Sequence, residues 1–160
     1  MSTDSSAFSD KLRVRSCGLL VESESILLAQ IQSPITGQLI WTPPGGGIDF
    51  GESVRDGLVR EFQEETNLEI EVGRLLHINE LIRPPFHALE CYFEVKRTAG
   101  ELRLGADPEL FGEEQLLEQI DWIPLDQLSR ITFAPESLRK KLLDWNSRDS
   151  LPVFPGDGKT

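Results

Sequence analysis

Hydrophobic positions first appear as two runs rich in Leu, Ile and Val, residues 13–22 and 25–31, parted by the polar Glu22-Ser23-Glu24. That pattern predicts a β-hairpin. A short strand is expected over residues 37–42, ending at Pro43-Pro44, and Gly45-Gly46-Gly47 follows. From residue 53 to 66 the apolar period lengthens to that of a helix. Ser53 suits the N-cap and Asp56 the first turn. Asn67 suits the stop, because Asn tolerates the left-handed conformation that closes helices. Residues 68–82 predict one long or two short strands, Arg83-Pro84-Pro85 a turn, and 86–96 a strand pairing back. An irregular acidic loop over 100–112, a last strand over 119–123 and a helix over 136–145 after Pro135 complete the chain. Helices fall among more numerous strands, so the class is α/β (α+β mixed) with a mixed sheet.

The helix is charged on an unexpected side. With Val54 at zero and about 100° per residue, Leu58 falls at about 40°, Phe62 at about 80° and Val59 at about 140°, an arc expected to face the core. Glu61 falls at about 340°, Glu65 at about 20° and Glu64 at about 280°. Two glutamates thus overlap the edge of the apolar stripe and the third flanks them. An ordinary solvated face would put its carboxylates opposite the stripe. Glu61 and Glu65 are also a like-charged i,i+4 pair, which opposes the helix by a few tenths of a kcal/mol (about 0.2–0.5). Glu64 and Glu65 lie in the last turn, where the macrodipole is already negative. Carboxylates gathered against such costs point to a cation, and oxygen-only ligands point to a hard one, Mg²⁺ or Mn²⁺. The three glycines ahead of the helix let bare backbone approach a ligand. Arg60, at about 240°, borders the acidic edge and is placed to pair with Glu52.

Composition bounds the rest. The 160 residues suit one domain with its own core. Ser/Asp-rich residues 1–10 and Pro/Gly-rich residues 147–160 are expected as flexible tails around a domain over 11–146. A net charge of −11 opposes general binding of a nucleic acid polymer. No apolar run has the length of a membrane span, and the first residues lack the pattern of a secretory signal. Cys17 and Cys91 lie in apolar strand-like segments and are expected as buried free thiols, which implies a cytoplasmic address.

The stretch from Gly46 to Leu68 resembles the Nudix box. In that box a Gly is followed after five residues by Glu, and after seven more by Arg-Glu, a bulky apolar residue, one residue, Glu-Glu, one residue, Gly and an aliphatic. Gly46, Glu52, Arg60, Glu61, Phe62, Glu64, Glu65 and Leu68 match, and Asn67 stands where the family has Gly. The resemblance implies an α/β/α sandwich and a metal-dependent hydrolase of phosphoanhydride bonds. It further implies that Glu61, Glu64 and Glu65 bind metal, joined by the Gly45 carbonyl, with Glu61 in some members acting as base. Glu52 then matches the outer glutamate and Arg60 the orienting arginine. Members often draw one more acid from the loop before the last strand, where Glu113, Glu114 and Glu118 are candidates.

For the substrate, Gly46 and Gly47 offer backbone contacts, and Arg83, Arg13 and Arg15 are possible phosphate binders. Each arginine taken singly reads more simply as a surface charge. Trp41 reads as core before base-stacking platform, His87 as an exposed hairpin residue, and Tyr92 and Phe93 as opposite faces of one strand. Gly57, in mid-helix, is explained by close packing of helix on sheet. Pro84 lies where some ADP-ribose-cleaving members carry a proline. The expected function is hydrolysis of a small nucleoside diphosphate linked to another moiety, ADP-ribose or a nucleoside triphosphate among the options, by a monomer or homodimer. A non-catalytic nucleotide-sensing or scaffold module of the same fold is the alternative.

Overall fold

The computed structural model describes residues 9–105 and 117–155. Its strands are β1 (Lys11–Leu19), β2 (Val21–Glu22), β3 (Ser25–Gln32), β4 (Leu39–Thr42), β5 (Gly45–Gly47), β6 (Glu69–Arg83), β7 (Phe86–Ala99) and β8 (Leu117–Pro124), and its helices are α1 (Val54–Thr66) and α2 (Glu136–Leu143). The β layer consists of two sheets. One runs β5-β1-β7-β6, with β1 parallel to β7 and the other pairings antiparallel; in the other β3 is flanked by β4 and β8 and also pairs with β2.

The expected hairpin at Glu22-Ser23-Glu24 is confined to β2 and β3. Ser23 and Glu24 both take positive φ, as a two-residue primed turn requires. The rest of the first apolar run is β1, which leaves for the other sheet and pairs with β7 and β5. Alternation along a strand reports its faces and not its partner, so β1 pairs with β7 and β5 and not with its sequence neighbour. Gly45–Gly47, read as a loop, is itself a short strand on β1.

α1 follows its local signals. Ser53 Oγ accepts from the Asp56 N–H at 3.0 Å, and Asn67 closes the helix at φ 65°. Leu58 and Phe62 are fully buried against Leu20, Leu27 and Phe93. Val59, placed by the wheel on the core arc, is exposed. The buried stripe is narrower and turned toward Glu61, which is 2% exposed. Gly57 is required by the preceding loop and not by the sheet: a Cβ there would lie 2.5 Å from Ile48 Cδ1 and 2.9 Å from Glu52 Oε1.

Leu58, Phe62 and Phe93 make one core on the α1 side of the sheets. Leu19, Ile26, Leu28, Tyr92, Leu138 and Leu142 make another on the α2 side. Tyr92 and Phe93 therefore divide between the two cores, as alternation demands. So do the cysteines. Cys17 pairs in register with Tyr92, and Cys91 with Ser16, which puts the two thiols on opposite faces of the sheet; both are free. Burial pushes the Cys17 thiol up to about 12, so it stays protonated and inert.

The expected tail from residue 147 onward is docked as far as residue 155. A 3₁₀ turn spans Trp145–Ser150, Arg148 pairs with Glu94 at 3.0 Å, and the Ile78 N–H donates to Val153 O at 2.7 Å. Proline and glycine signal non-helical backbone here, and hydrogen bonds to β6 and β7 hold it down. The remainder of both expected tails, residues 1–8 and 156–160, lies outside the described residues. Among the described residues no helix is long and apolar enough to cross a membrane.

Candidate active site

Arg60 stands at the centre of the acidic edge. Its Nε and Nη2 each donate to Glu52 at 2.9 Å, and Nη1 donates to Glu61 at 2.9 Å and to Glu64 at 3.2 Å. Nη2 also reaches the Gly47 carbonyl at 3.3 Å and Asp49 at 3.4 Å. One planar fork thus ties the loop after β5 to two glutamates of α1. Hydrogen bonds from Arg60, joined by the Asp49 backbone N–H, hold the Glu52 carboxyl down to about 2.

Glu61 presses against the glycine strand. A Cβ on Gly46 would fall 2.5 Å from the Glu61 carboxylate, so only glycine leaves that carboxylate its place. Glu65 accepts from the Gly45 N–H at 3.1 Å. The structure therefore brings Glu52, Arg60, Glu61, Glu64, Glu65 and Gly45–Gly47 into one locus. Among the described residues no three acidic, His or Cys side chains are already gathered at metal-binding distance. Arg60 and the Gly45 N–H hold the glutamates in these positions instead. The donors still suit a hard cation: they are all oxygen, one carboxylate is buried, and the glycine beside it keeps space open.

Sequence reasoning missed how α1 tolerates carboxylates at its negative end. The last turn carries no basic residue. The loop after β7 supplies N–H donors instead: Arg103 to Thr66 O at 3.0 Å and Gly105 to Glu65 O at 2.8 Å. These satisfy helix carbonyls that would otherwise face the glutamates unpaired. Of the candidate acids beyond the box, Glu118 is exposed on β8, and Glu113 and Glu114 lie outside the described residues.

Next to the glycine strand lies a cavity of about 400 Å³, a volume in the range of small-molecule sites. Glu61, Glu65 and Gly45–Gly47 line one part, and Phe86 and Phe133 add aromatic wall. Its floor is built from cross-strand rows on the α2 face of the sheet. The central row is Gly47, Arg15, Glu90 and Asn79, on β5, β1, β7 and β6. Arg15 is no surface charge: it pairs with the buried Glu90 at 2.5 Å. Arg13 lines the cavity one row outward, and a Cβ on Gly47 would lie 3.1 Å from its Nη2. Arg83 is exposed at the cavity's rim. His87, expected at an exposed tip, is half-buried and also lines the cavity, because β7 begins at Phe86 and draws it into the sheet. Trp41 is half-buried against the α2-side core and outside the cavity lining.

The row continues beyond the sheet. Asn79 Nδ2 donates to Glu90 at 3.0 Å, and Ser137 Oγ, in the first turn of α2, donates to Asn79 Oδ1 at 2.8 Å. The Ser137 oxygen then accepts from His77 Nε2 at 2.9 Å, which fixes the histidine tautomer with its proton on Nε2. His77 Nδ1 is buried without a hydrogen-bond partner among the described residues. Burial, then the nearby Lys141 ammonium, pushes the His77 pKa down to about 4. The unfolded chain, with a histidine pKa near 6.5, binds this proton first. Stability from neutral His77 is therefore complete above about pH 6.5 and declines as pH falls toward about 4, by roughly 3 kcal/mol at most. Melting curves across that window should show the decline in the native chain. His77→Gln, which keeps a donor for Ser137 and cannot charge, should flatten it; an equal slope in both proteins would reassign the effect.

With this geometry in place, comparison with known proteins identifies the class. The sequence matches the NUDIX domain over residues 11–145, and the chain belongs to that family. It is 27% identical over 133 residues to the ADP-ribose pyrophosphatase of Methanocaldococcus jannaschii, covering 81% of this chain and 72% of that one. It is 28% identical over 142 residues to the NAD-capped RNA hydrolase NudC of Pseudomonas aeruginosa, covering 86% of this chain but 46% of that protein, so it spans less than half of that relative's length. The crystal structure of a MutT NUDIX hydrolase from Burkholderia pseudomallei superimposes with a TM-score of 0.67 at 25% identity, covering 83% of this chain and 97% of that one. The matched relatives with a named activity are a pyrophosphatase and a hydrolase.

Proposed function

We propose that the substrate is a small nucleoside diphosphate linked to a second moiety, with ADP-ribose first and a nucleoside triphosphate second, and that Mg²⁺ or Mn²⁺ is required. The observation that carries this reading is the placement of Glu61 and Glu65 on the wall of a cavity that also holds Arg13 and Arg15. Glu61, Glu64, Glu65 and the Gly45 carbonyl are the donors for the ion. When bound, it supplies charge neutralisation on phosphate oxygens and a more acidic water. Glu61, buried beside Gly46, takes the proton of the attacking water in this reading. Arg60 and Glu52 orient Glu61 and Glu64. Gly46, Gly47 and Arg83 contact the substrate, the glycines through bare backbone. Free thiols on opposite sheet faces fit a reducing compartment, and we place the protein in the cytoplasm on that ground.

All glutamates of the box are present, which disfavours a non-catalytic sensing module. A panel of ADP-ribose, nucleoside triphosphates, dinucleoside polyphosphates and NAD-capped RNA, with and without Mg²⁺, tests the reading. Metal-dependent release of a nucleoside monophosphate from ADP-ribose is expected. Preference for the capped RNA would replace the small-molecule reading, and no turnover on any of them would favour the module.

The glutamate locus also predicts a thermal signature. Mg²⁺ at about a hundred times its Kd should stabilise the folded chain by roughly 2.7 kcal/mol, about 5–10 °C for a protein of this size. Glu65→Gln keeps an acceptor for the Gly45 N–H while removing one of the like charges. Its metal-free form should melt higher than the native chain, and its response to Mg²⁺ should shrink. Melting curves indifferent to both changes would count against the site.

A further inference from the structure

Because the cavity is taken as the substrate site, the inference here rests on the reading above. We propose that Arg15 grips a phosphate of the substrate, and that Glu90, Asn79 and Ser137 are positioning residues that hold its guanidinium in place. Three features carry this.

The first is location. Arg15 is the register partner of Gly47, on the strand hydrogen-bonded to β5. Neighbouring strands lie about 4.8 Å apart. A diphosphate lying over the glycine strand, beside Glu61, is within reach of that guanidinium. Arg83 sits exposed at the β6–β7 turn, at the other end of the cavity wall.

The second is spare donor capacity in a restricted setting. The Arg15 side chain is 21% exposed, and it lines the cavity. Its side-chain hydrogen bond among the described residues runs from Nη1 to Glu90. A guanidinium carries five N–H donors, so donors remain for an anion, in a place where water competes less.

The third is direction. Asn79 Nδ2 and Arg15 Nη1 both donate to the Glu90 carboxylate. Ser137 donates to Asn79 and His77 to Ser137, so every proton in the array points toward Glu90. A carboxylate held by Asn79, which Ser137 of α2 holds in turn, cannot swing to follow the arginine, and the guanidinium is therefore fixed from behind. A buried ion pair alone needs no such support from α2. The array is built to aim a group, and the group at its cavity end is Arg15.

Titration of inorganic pyrophosphate into the metal-free protein, followed by calorimetry in EDTA, tests the grip. The native chain should bind it. Arg15→Lys keeps a cation beside Glu90, and hence the fold, but loses the planar fork; its affinity should drop about ten- to a hundredfold. Ser137→Ala provides an independent arm three hydrogen bonds from Arg15. It should weaken pyrophosphate binding about three- to tenfold and raise KM on the best nucleotide with kcat within about twofold. Ser137→Thr, which restores the hydroxyl, should recover both. A purely structural Ser137 would lower the melting temperature and leave affinity and KM alone. No pyrophosphate binding by the native chain, or native affinity in Arg15→Lys, overturns the grip. Native affinity in Ser137→Ala overturns the positioning role. A nucleotide panel without turnover, alongside intact pyrophosphate binding, would sink the proposed activity and leave the grip standing.

Discussion

Glu64→Gln is expected to lower kcat by about a thousandfold, within the range lost when an essential acid or base is removed, while leaving the fold intact. Glu64 is the glutamate of the box best suited to a clean test. Its side chain is 30% exposed and, among the described residues, its side-chain hydrogen bonds run to Arg60, through Nη1 at 3.2 Å. Nothing in either core depends on it. Glutamine keeps an acceptor for that bond and removes only the charge that a divalent ion would take up. Glu61→Gln carries a larger structural risk, because its carboxylate is buried against Gly46 and shares Arg60. The measurement is single-turnover kinetics on the best nucleotide at saturating Mg²⁺, with a melting curve as the control. A variant that turns over within tenfold of the native rate would show that Glu64 is not a catalytic ligand, whatever its place in the motif.

The locus was legible in the sequence because it is local. Fourteen positions from Glu52 to Glu65 are covered by one loop and one helix, and a helix repeats its geometry wherever it occurs. The wheel put Glu61 on the stripe's edge, and it is buried there. Ser53 and Asn67 signalled both ends of α1 through their own side-chain chemistry. The cavity floor was not legible to the same degree, since its members lie on β1, β6, β7 and α2, and only the fold brings them together. One signal in the sequence does point to the pair. Glu90 has the same parity as the inward-facing Ala88 and Tyr92, so alternation already made it a buried charge in need of a cation. Arg15 shares parity with Cys17 in the same way. What alternation cannot give is the partner strand, and for that reason β1 reads in the sequence as part of the hairpin although it pairs with β7. The loop donors to the end of α1 were invisible for a related reason: they are backbone groups, and no residue type marks them.

The arginine at the centre of the locus gives the other large expected effect. Arg60→Lys should reduce kcat about ten- to a hundredfold, the scale of losing an outer partner of a metal ligand. The fork of Arg60 spans Glu52 on one side and Glu61 with Glu64 on the other, and touches the Gly47 carbonyl besides. A lysine ammonium is one atom on a flexible stem, and from one place it cannot reach both sides with comparable geometry. It would retain the charge near the helix and lose the link between loop and helix. Glu61 and Glu64 would then keep their positions only as well as their own rotamers allow. Their mutual repulsion, no longer bridged, works against the arrangement a divalent ion would need. KM should change by less than about threefold, because Arg60 sits among carboxylates and outside the cavity lining. The melting temperature of the metal-free variant should fall, since Glu52 loses the two bonds that hold its carboxyl ionised. Steady-state kinetics over a Mg²⁺ series separates the two sources of lost rate. Recovery at high Mg²⁺ would mean that the fork serves ion affinity. A deficit that persists at saturation would mean that it serves the aim of Glu61, and an unchanged kcat throughout would show that lysine suffices and that Arg60 is only a counter-charge.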